Sequence, residues 1–524
     1  MGSNTVSTFN KMLDVNTPII YIQDYDFVRI DVLIKQVVGL SSKIEEWNPA
    51  NGLIDFRTKS PKGTSNFTSL SDYLKSVYNI GMRVPANVSF VVLRDIQDYI
   101  NPANNHYDPS VKTFLQLIAE RKLYDRDFET TIIIVSSVLK IPQEIEKFVS
   151  FLEIGFPEEE EIRQIVNEHI EVNGYDKRKF SEEDLNKLMP SLKGMTLFEI
   201  DRMLDMAMSS NGSLSAEDKE MILVQKKQMV RKSGVLELVD VKESIDNIGG
   251  MEVLKKYLKR KAAILREDKL SEAVNFGVAI PKGIFIVGMP GCGKSLCAKA
   301  SSALFDAPLL KMDMGSMMGK YVGESEANLR KAIKIAEAAA PCILWIDEIE
   351  KAFSGIGGNN DIMTRMFGYF LSWMQDKDSC VFVIATANNA DKLPPELKRK
   401  GRFDEIFCVN LPNETERESI FNIHINKKRK KNCKIDPLNF EELVKLTNGF
   451  NGADIESVVN EAVEKCFLGN MDKDGNYKCE KLPLSMQVLK DVIKDTKSIS
   501  MSCKKQIEEM NKLFKENNFT DASS

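Results

Sequence analysis

The stretch "GMPGCGKS", Gly288 to Ser295, decides how the rest of the chain is read. It follows the apolar run "GIFIVG" and opens a helical pattern at Leu296. Gly288, Gly291 and Gly293, with Pro290 and Cys292 between them, let backbone N–H groups curl round a polyphosphate. Lys294 can then reach the outer phosphates, and the Ser295 hydroxyl can hold Mg²⁺. A phosphate loop between strand and helix predicts a parallel-sheet α/β domain.

Working outward, "CILWIDEIEKAF" places Asp347 and Glu348 at the end of a buried strand. Two adjacent carboxylates there can divide the work: Asp347 supports the metal's shell, and Glu348 polarises an attacking water. In "VFVIATANNADKLPPELKRKGRFDEIF", Asn388 closes a third buried strand, where its amide can orient water near the terminal phosphate. Arg399 and Arg402 lie past that strand and suit a phosphate in a neighbouring subunit. The competing reading is a surface ion pair with Asp404 or Glu405.

Composition restricts the setting. The chain has 524 residues, 43% of them hydrophobic, enough for two or three cored domains. Its formal net charge of -5 disfavours nucleic acid and anionic membranes as partners of the whole molecule. "MGSNTVSTFN" lacks the regions of a signal peptide, and no apolar run approaches a membrane span, so a cytoplasmic location, stromal if plastid-derived, is expected. All nine cysteines lie from Cys292 onward without a C-x-x-C pair, which favours reduced thiols. Packing roles are expected for His106, His169 and His424. A buried or inert thiol is expected at Cys292 in the phosphate loop, against the alternative that amide dipoles and Lys294 lower its pKa and make it oxidisable. "KKRKK", Lys427 to Lys431, is a nucleic-acid patch or a solvated run after a lid helix ending near Ile425.

The chain also repeats itself. "FPEEEEIRQIVNEHI" from Phe156 aligns without a gap on "LPNETERESIFNIHI" from Leu411, and the same offset lays "GMTLFEIDRMLDMAM" from Gly194 on "GFNGADIESVVNEAV" from Gly449. One fold used twice is expected, each copy an α/β core with a small helical lid. The expected division is a first core over 1–165, its lid and a connector helix over 166–240, a second core over 241–412, its lid over 413–482, and a C-terminal helix and tail over 483–524. Ser215 is the candidate cap of the connector and Gly234 its stop. "NNFTDASS" has a frayed, polar composition.

"DNIGGM", "GMPGCGKS", "GKYVGESEANLR", "CILWIDEIEKAF", "VIATANNADKLPPELKRKGRFDE" and "GFNGADI", in this order, resemble the AAA family of ATPases. "QMVRKSG", "PKGIFIVGMPGCGKSLCAKA" and "APCILWIDEIEKAF" are similar more narrowly to the plastid and cyanobacterial AAA proteins called hypothetical chloroplast reading frame forty-six, the Ycf type. The resemblance implies a P-loop AAA+ core with helices on both faces of its sheet, ATP and Mg²⁺ as ligands, and a homo-oligomer, expected to be a hexamer. It implies adenine contacts from the backbone near Ile248 and Gly249, Walker motifs at Gly288 to Ser295 and at Asp347 and Glu348, sensor one at Asn388, and arginine fingers at Arg399 and Arg402. No lid arginine is implied, because Gly452 and Ala453 stand there. By the same resemblance Tyr321, Val322 and Gly323 form a loop that grips polypeptide, against a local reading in which Tyr321 staples onto its own helix. The function expected is ATP-driven remodelling of a protein substrate; the alternatives are a nucleotide-gated scaffold and, more weakly, a nucleic-acid remodeller.

The first copy reads as silent. Opposite the phosphate loop stands "QDYDFVR", where Asp24 and Asp26 would repel phosphate and no glycine frees the backbone. Opposite "WIDE" stands "VLRD", so Arg94 takes the metal-holding position and only Asp95 stays acidic. A docking role and a merely stabilising role both fit that half.

Overall fold

The computed structural model describes the chain outside residues 1–2, 25, 40, 62–68, 80–87, 103, 138, 140, 173–181, 212–218, 233, 242, 315–323, 354–360, 390–393, 400, 430–432, 470–478, 480, 518 and 524. It divides into two compact units, Met1–Ile222 and Leu223–Ser524.

In the first unit, strands β1 (Ile19–Gln23), β2 (Ile44–Asn48), β3 (Gly52–Asp55), β4 (Phe90–Arg94), β5 (Thr131–Ser136) and β6 (Val149–Leu152) form one sheet in the order β3-β2-β4-β5-β1-β6. All pairs are parallel except the β2–β3 hairpin at the edge. Successive residues feed two cores: Ile19 and Tyr21 of β1, with Ile132 and Ile134 of β5, pack on one face, while Ile20, Ile22, Ile133 and Val135 pack on the other. Burial of both faces explains why these strands read as continuous apolar runs rather than alternating ones. Helix α1 (Phe27–Val38) follows β1 directly, and α2 (Glu159–Val172), α3 (Glu182–Leu192) and α4 (Leu197–Asn211) make the lid.

Helix α5 (Lys219–Lys232) leads into the second unit. It stops before Gly234, whose φ of 74° and N–H bond to the Arg231 carbonyl close its end; Ser215 lies outside the described residues. There β7 (Leu236–Val239), β8 (Gly283–Gly288), β9 (Leu309–Met312), β10 (Cys342–Ile346), β11 (Val381–Ala387), β12 (Glu405–Val409) and β13 (Thr520–Asp521) take the order β13-β12-β8-β11-β10-β9-β7. Helix α6 (Glu252–Leu265) precedes β8, and α7 (Lys294–Phe305) comes after the phosphate loop. Helices α8 (Glu414–Arg429) and α9 (Gly452–Leu468) frame the lid, and α10 (Lys504–Glu516) precedes the last strand.

The β12-β8-β11-β10-β9 order repeats β6-β1-β5-β4-β2 of the first unit, and the lids match residue for residue at the offset seen in sequence. Gly194 and Gly449 have φ of 82° and 81°. Thr196 with Glu199, and Asn451 with Asp454, form reciprocal helix caps. Glu161 and Glu416 accept from the backbone N–H of Glu158 and Asn413. His169 lies 2.8 Å from Asp201, and His424 lies 3.9 Å from Glu456, so both pair with the facing lid helix.

Three expectations change. The sheet of the second core extends beyond 241–412, because β7 pairs antiparallel with β9 and β13 pairs with β12. Within "NNFTDASS" residues 519–523 are not frayed: Ala522 is fully buried, its N–H donates to the Cys408 carbonyl at 3.0 Å, and its carbonyl accepts from Val253 and Leu254 at 3.0 and 3.1 Å. The lid helix α8 continues past Ile425, so Lys427, Lys428 and Arg429 sit in its last turn, where cations suit the helix C-terminus.

Candidate active site

The phosphate loop leaves the end of β8, and the left-handed φ of Gly291 (78°) and Gly293 (86°) turns it into α7. Lys294 begins that helix and is buried; its ammonium donates to the Gly288 and Met289 carbonyls, both at 2.8 Å. Burial lowers its pKa, against the attraction of nearby Glu350, Asp347 and Glu348.

Asp347 follows β10 and is a hub. Its carboxylate accepts from the Thr386 hydroxyl at 2.6 Å and from Ser295 at 3.4 Å. Glu348 comes next in a left-handed conformation, φ 49°, with its backbone N–H on the Thr386 oxygen at 3.2 Å. The side-chain amide of Asn388 donates to Glu348 at 2.8 Å, and Lys351 pairs with the same carboxylate. The Lys351 hydrogen bond, more than that of Asn388, holds Glu348 below the usual carboxylate range. Glu350 is buried; one oxygen accepts from the Asn388 N–H at 2.9 Å, and the other has no partner among the described residues. Thr386 and Glu350 were missed in the sequence. The signal for Thr386 lies in the register, since Ile346 pairs with Ala385 and the next residues along each strand are Asp347 and Thr386.

Hard oxygen donors on Ser295 and Asp347, braced by Thr386, suit a small divalent cation shared with phosphate. The chain therefore fits Mg²⁺ at Ser295 and Asp347, beside a polyphosphate held by the loop and Lys294.

On the far side of the loop, Ile248 is buried, and Gly249 passes so close to α8 that a Cβ there would lie 2.5 Å from Ile420. Met251 N–H donates to Glu416 at 3.0 Å. The lid touches the loop directly: Asn451 donates to the Pro290 carbonyl at 2.9 Å, and Ala453 N–H donates to the Gly291 carbonyl at 3.1 Å. A Cβ on Gly291 would lie 2.4 Å from the Asn451 amide. Gly291 thus gives the lid room to pack on the loop.

Cys292 is the buried thiol that was expected. Burial pushes its thiol up to about 11, outweighing Lys294, so the group is protonated and inert. Leu296 sits half-buried in the first turn of α7. Arg399 is exposed, and among the described residues nothing engages its guanidinium. Arg402 donates to the Glu396 carbonyl. Neither pairs with the acids considered as alternatives: Asp404 holds Lys282 N–H, Gly283 N–H and Lys261, while Glu405 accepts from Thr520. No described contact joins either arginine to Lys294, Asp347, Glu348 or Asn388. Tyr321, Val322 and Gly323 lie outside the described residues.

The first unit fills the same place from within. Asp26 caps α1 by accepting from Arg29 N–H at 3.3 Å, and its own N–H donates to Asp24. Arg29 pairs with Glu161 of the lid at 3.0 Å. Arg94, buried where the second unit has Asp347, pairs with Asp31 and lies 2.9 Å from Glu46, while Lys59 bridges those acids at 2.8 and 2.6 Å. Only the backbone keeps the shape of the other copy: Asp95 has φ 52°, against 49° at Glu348.

Comparison with known proteins agrees with this geometry. Residues 284–411 match the ATPase family associated with various cellular activities (AAA), and 437–474 match the AAA+ lid domain. Residues 5–154 and 160–233 match the N-terminal and second domains of SpoVK-like AAA ATPases. The chain is 35% identical over 471 residues to the uncharacterized AAA domain-containing protein ycf46 of Guillardia theta, covering 89% of this chain and 88% of that protein. The ycf46 protein of Pyropia yezoensis is 30% identical over 516 residues, 97% of each. The ATP-dependent zinc metalloprotease FTSH 7, chloroplastic, of Arabidopsis thaliana is 33% identical over 229 residues, 41% of this chain and 27% of that protein. Two long relatives matched nearly end to end, and an AAA core whose sheet order recurs in a SpoVK-like first half, place the chain in the AAA family of ATPases, among its Ycf46 proteins.

Proposed function

We propose that the protein couples Mg²⁺-dependent ATP hydrolysis to the remodelling of a protein substrate or complex, working as a homo-oligomer and, by family resemblance, a hexamer. The observation that carries this reading is the convergence of Asp347, Glu348 and Asn388 at the ends of neighbouring strands, where Thr386 ties Asp347 to Glu348 and Asn388 donates to Glu348, beside Lys294 at the start of α7. Lys294 supplies charge to the outer phosphates, and Ser295 and Asp347 hold the cation, which neutralises phosphate charge when bound. Glu348 orients and polarises the attacking water, and the Asn388 amide positions Glu348. Ile248 and Gly249 present backbone to adenine. Arg399 and Arg402 act on a neighbouring subunit's phosphate, and Tyr321, Val322 and Gly323 grip the substrate chain. The aqueous phase of the cytoplasm or the stroma is the proposed location; the Arabidopsis relative's name says chloroplastic, and among the described residues no helix is long and apolar enough to cross a membrane.

The test separates binding from chemistry. Lys294→Ala should lose ATP binding, whereas Glu348→Gln should bind and retain ATP without turning it over. Equal loss of binding in both would contradict the division of roles. Stimulation of turnover by unfolded protein, rather than by nucleic acid or by neither, would single out protein remodelling.

A further inference from the structure

Asn388 is gripped twice by the segment that follows β10. Its side-chain amide donates to Glu348 at 2.8 Å, and its backbone N–H donates to the Glu350 carboxylate at 2.9 Å. The strand itself does not hold it: the ladder of β11 with β10 stops at Ala385, opposite Ile346, and that with β8 stops at Ala387, opposite Val287. Asn388 therefore stands outside the sheet's own hydrogen bonds. Glu350 supplies the acceptor from the short helix Ile349–Phe353, whose first residue is buried as well.

Packing alone does not account for that residue. Glu350 is only 5% exposed and its second oxygen has no partner among the described residues, and a buried carboxyl group with one N–H contact is a net cost to folding. Two neighbours bear on it: Lys294, which it attracts, and Asn388, which it bonds. The Lys294 ammonium already has the Gly288 and Met289 carbonyls at 2.8 Å, with Asp347 and Glu348 also near. The Asn388 N–H, among the described residues, has Glu350 alone. We propose that Glu350 is a positioning residue for hydrolysis: by holding the Asn388 backbone it fixes the side-chain amide against Glu348, and with it the direction in which Glu348 meets the attacking water. The Glu348 carboxylate is partly exposed and pairs with the exposed Lys351, so without the Asn388 amide it would rest on a solvated ion pair that holds a side chain only weakly. The proposal rests on the reading of Glu348 and Asn388 as the groups that act on that water.

The test compares two replacements of similar size in the full chain. Glu350→Met keeps the volume and removes the acceptor; it should lower kcat about tenfold to a hundredfold, as a small misplacement of a reacting group does, while ATP affinity stays within about twofold. Glu350→Gln keeps an amide oxygen for the Asn388 N–H and removes the charge, and it should restore most of the turnover that Glu350→Met loses. Equal losses in the two variants would assign the effect to charge, acting through Lys294, and overturn the proposal. Unchanged turnover in Glu350→Met, or a loss of ATP affinity in either variant, would overturn it as well. Glu350→Gln carries the test alone where Glu350→Met does not fold, since its loss of turnover overturns the acceptor role and its retention excludes the charge. A double-mutant cycle separates positioning from a merely structural role. With Asn388→Ala there is no amide left to place, so adding Glu350→Met should lower kcat by less than about twofold more, and costs that multiply would overturn the proposal. If Asn388→Ala and Glu348→Gln themselves leave turnover intact, the reading of the site fails and takes Glu350 with it. If they lower turnover and Glu350→Met does not, the role of Glu350 alone fails.

Discussion

Lys294 and Lys377 are both buried cations of the second unit, and burial lowers the pKa of each. Lys294 has Glu350, Asp347 and Glu348 close by. Lys377 has mainly the Val381 and Ser379 carbonyls and the Trp373 ring, and desolvation brings it down to about 8. Its folded pKa lies below the unfolded value near 10.5, so the unfolded chain binds the extra proton between those pH values. The penalty is therefore complete below about pH 8 and vanishes above about 10.5. Stability of Lys377→Met relative to the unmodified protein should fall by roughly 2–3 kcal/mol as the pH rises from 7 to 11. Chemical denaturation at several pH values reads this directly, and a flat difference would refute it. Residues like these mark the limit of the sequence. Lys294, Asp347 and Glu348 were legible because their spacing carries the chemistry. Lys377 was silent, because desolvation depends on packing that no local motif records.

At the scale of elements, long buried strands announced themselves, while short ones did not. β8 and β11 are apolar throughout, but β13 is two residues long and polar, and only its pairing with β12 makes it a strand. "LELV" likewise becomes β7 through Leu310 and Met312 of β9. The lid's contact with the loop was equally hidden, since nothing in "GFNGADI" points Asn451 at the Pro290 carbonyl it meets. In the first unit the loss of phosphate-binding residues was legible, and what replaced them was not. Asp31, Glu46 and Lys59 come from α1, β2 and the turn after β3 to close around Arg94. Arg94→Ala leaves two largely buried carboxylates with only Lys59, and should cost about 3 kcal/mol. Urea unfolding would show it as a lowered midpoint of the transition assigned to the first unit; an unmoved midpoint would mean the network is neutral.

For the whole molecule, no described contact of one subunit brings Arg399 or Arg402 to Lys294, Asp347, Glu348 or Asn388. Subunits carrying Arg402→Ala, mixed with subunits carrying Lys294→Ala, should recover part of the turnover that each lacks alone. One of the two kinds of mixed interface, the site of an Arg402→Ala subunit against the arginines of a Lys294→Ala subunit, then joins an intact site to an intact arginine. Failure to recover at any ratio, with co-assembly verified, would place the arginines elsewhere. The buried Ala522 has a mechanical consequence for such an assembly. The lid leaves the core through residues 411–413 and is tied back to it through α10 and the paired strand Thr520–Asp521. A plate fixed at two corners turns about the line between them and cannot swivel. Exchange of nucleotide beneath the lid would then be converted into rotation about one axis, as in a hinge with both pins in place.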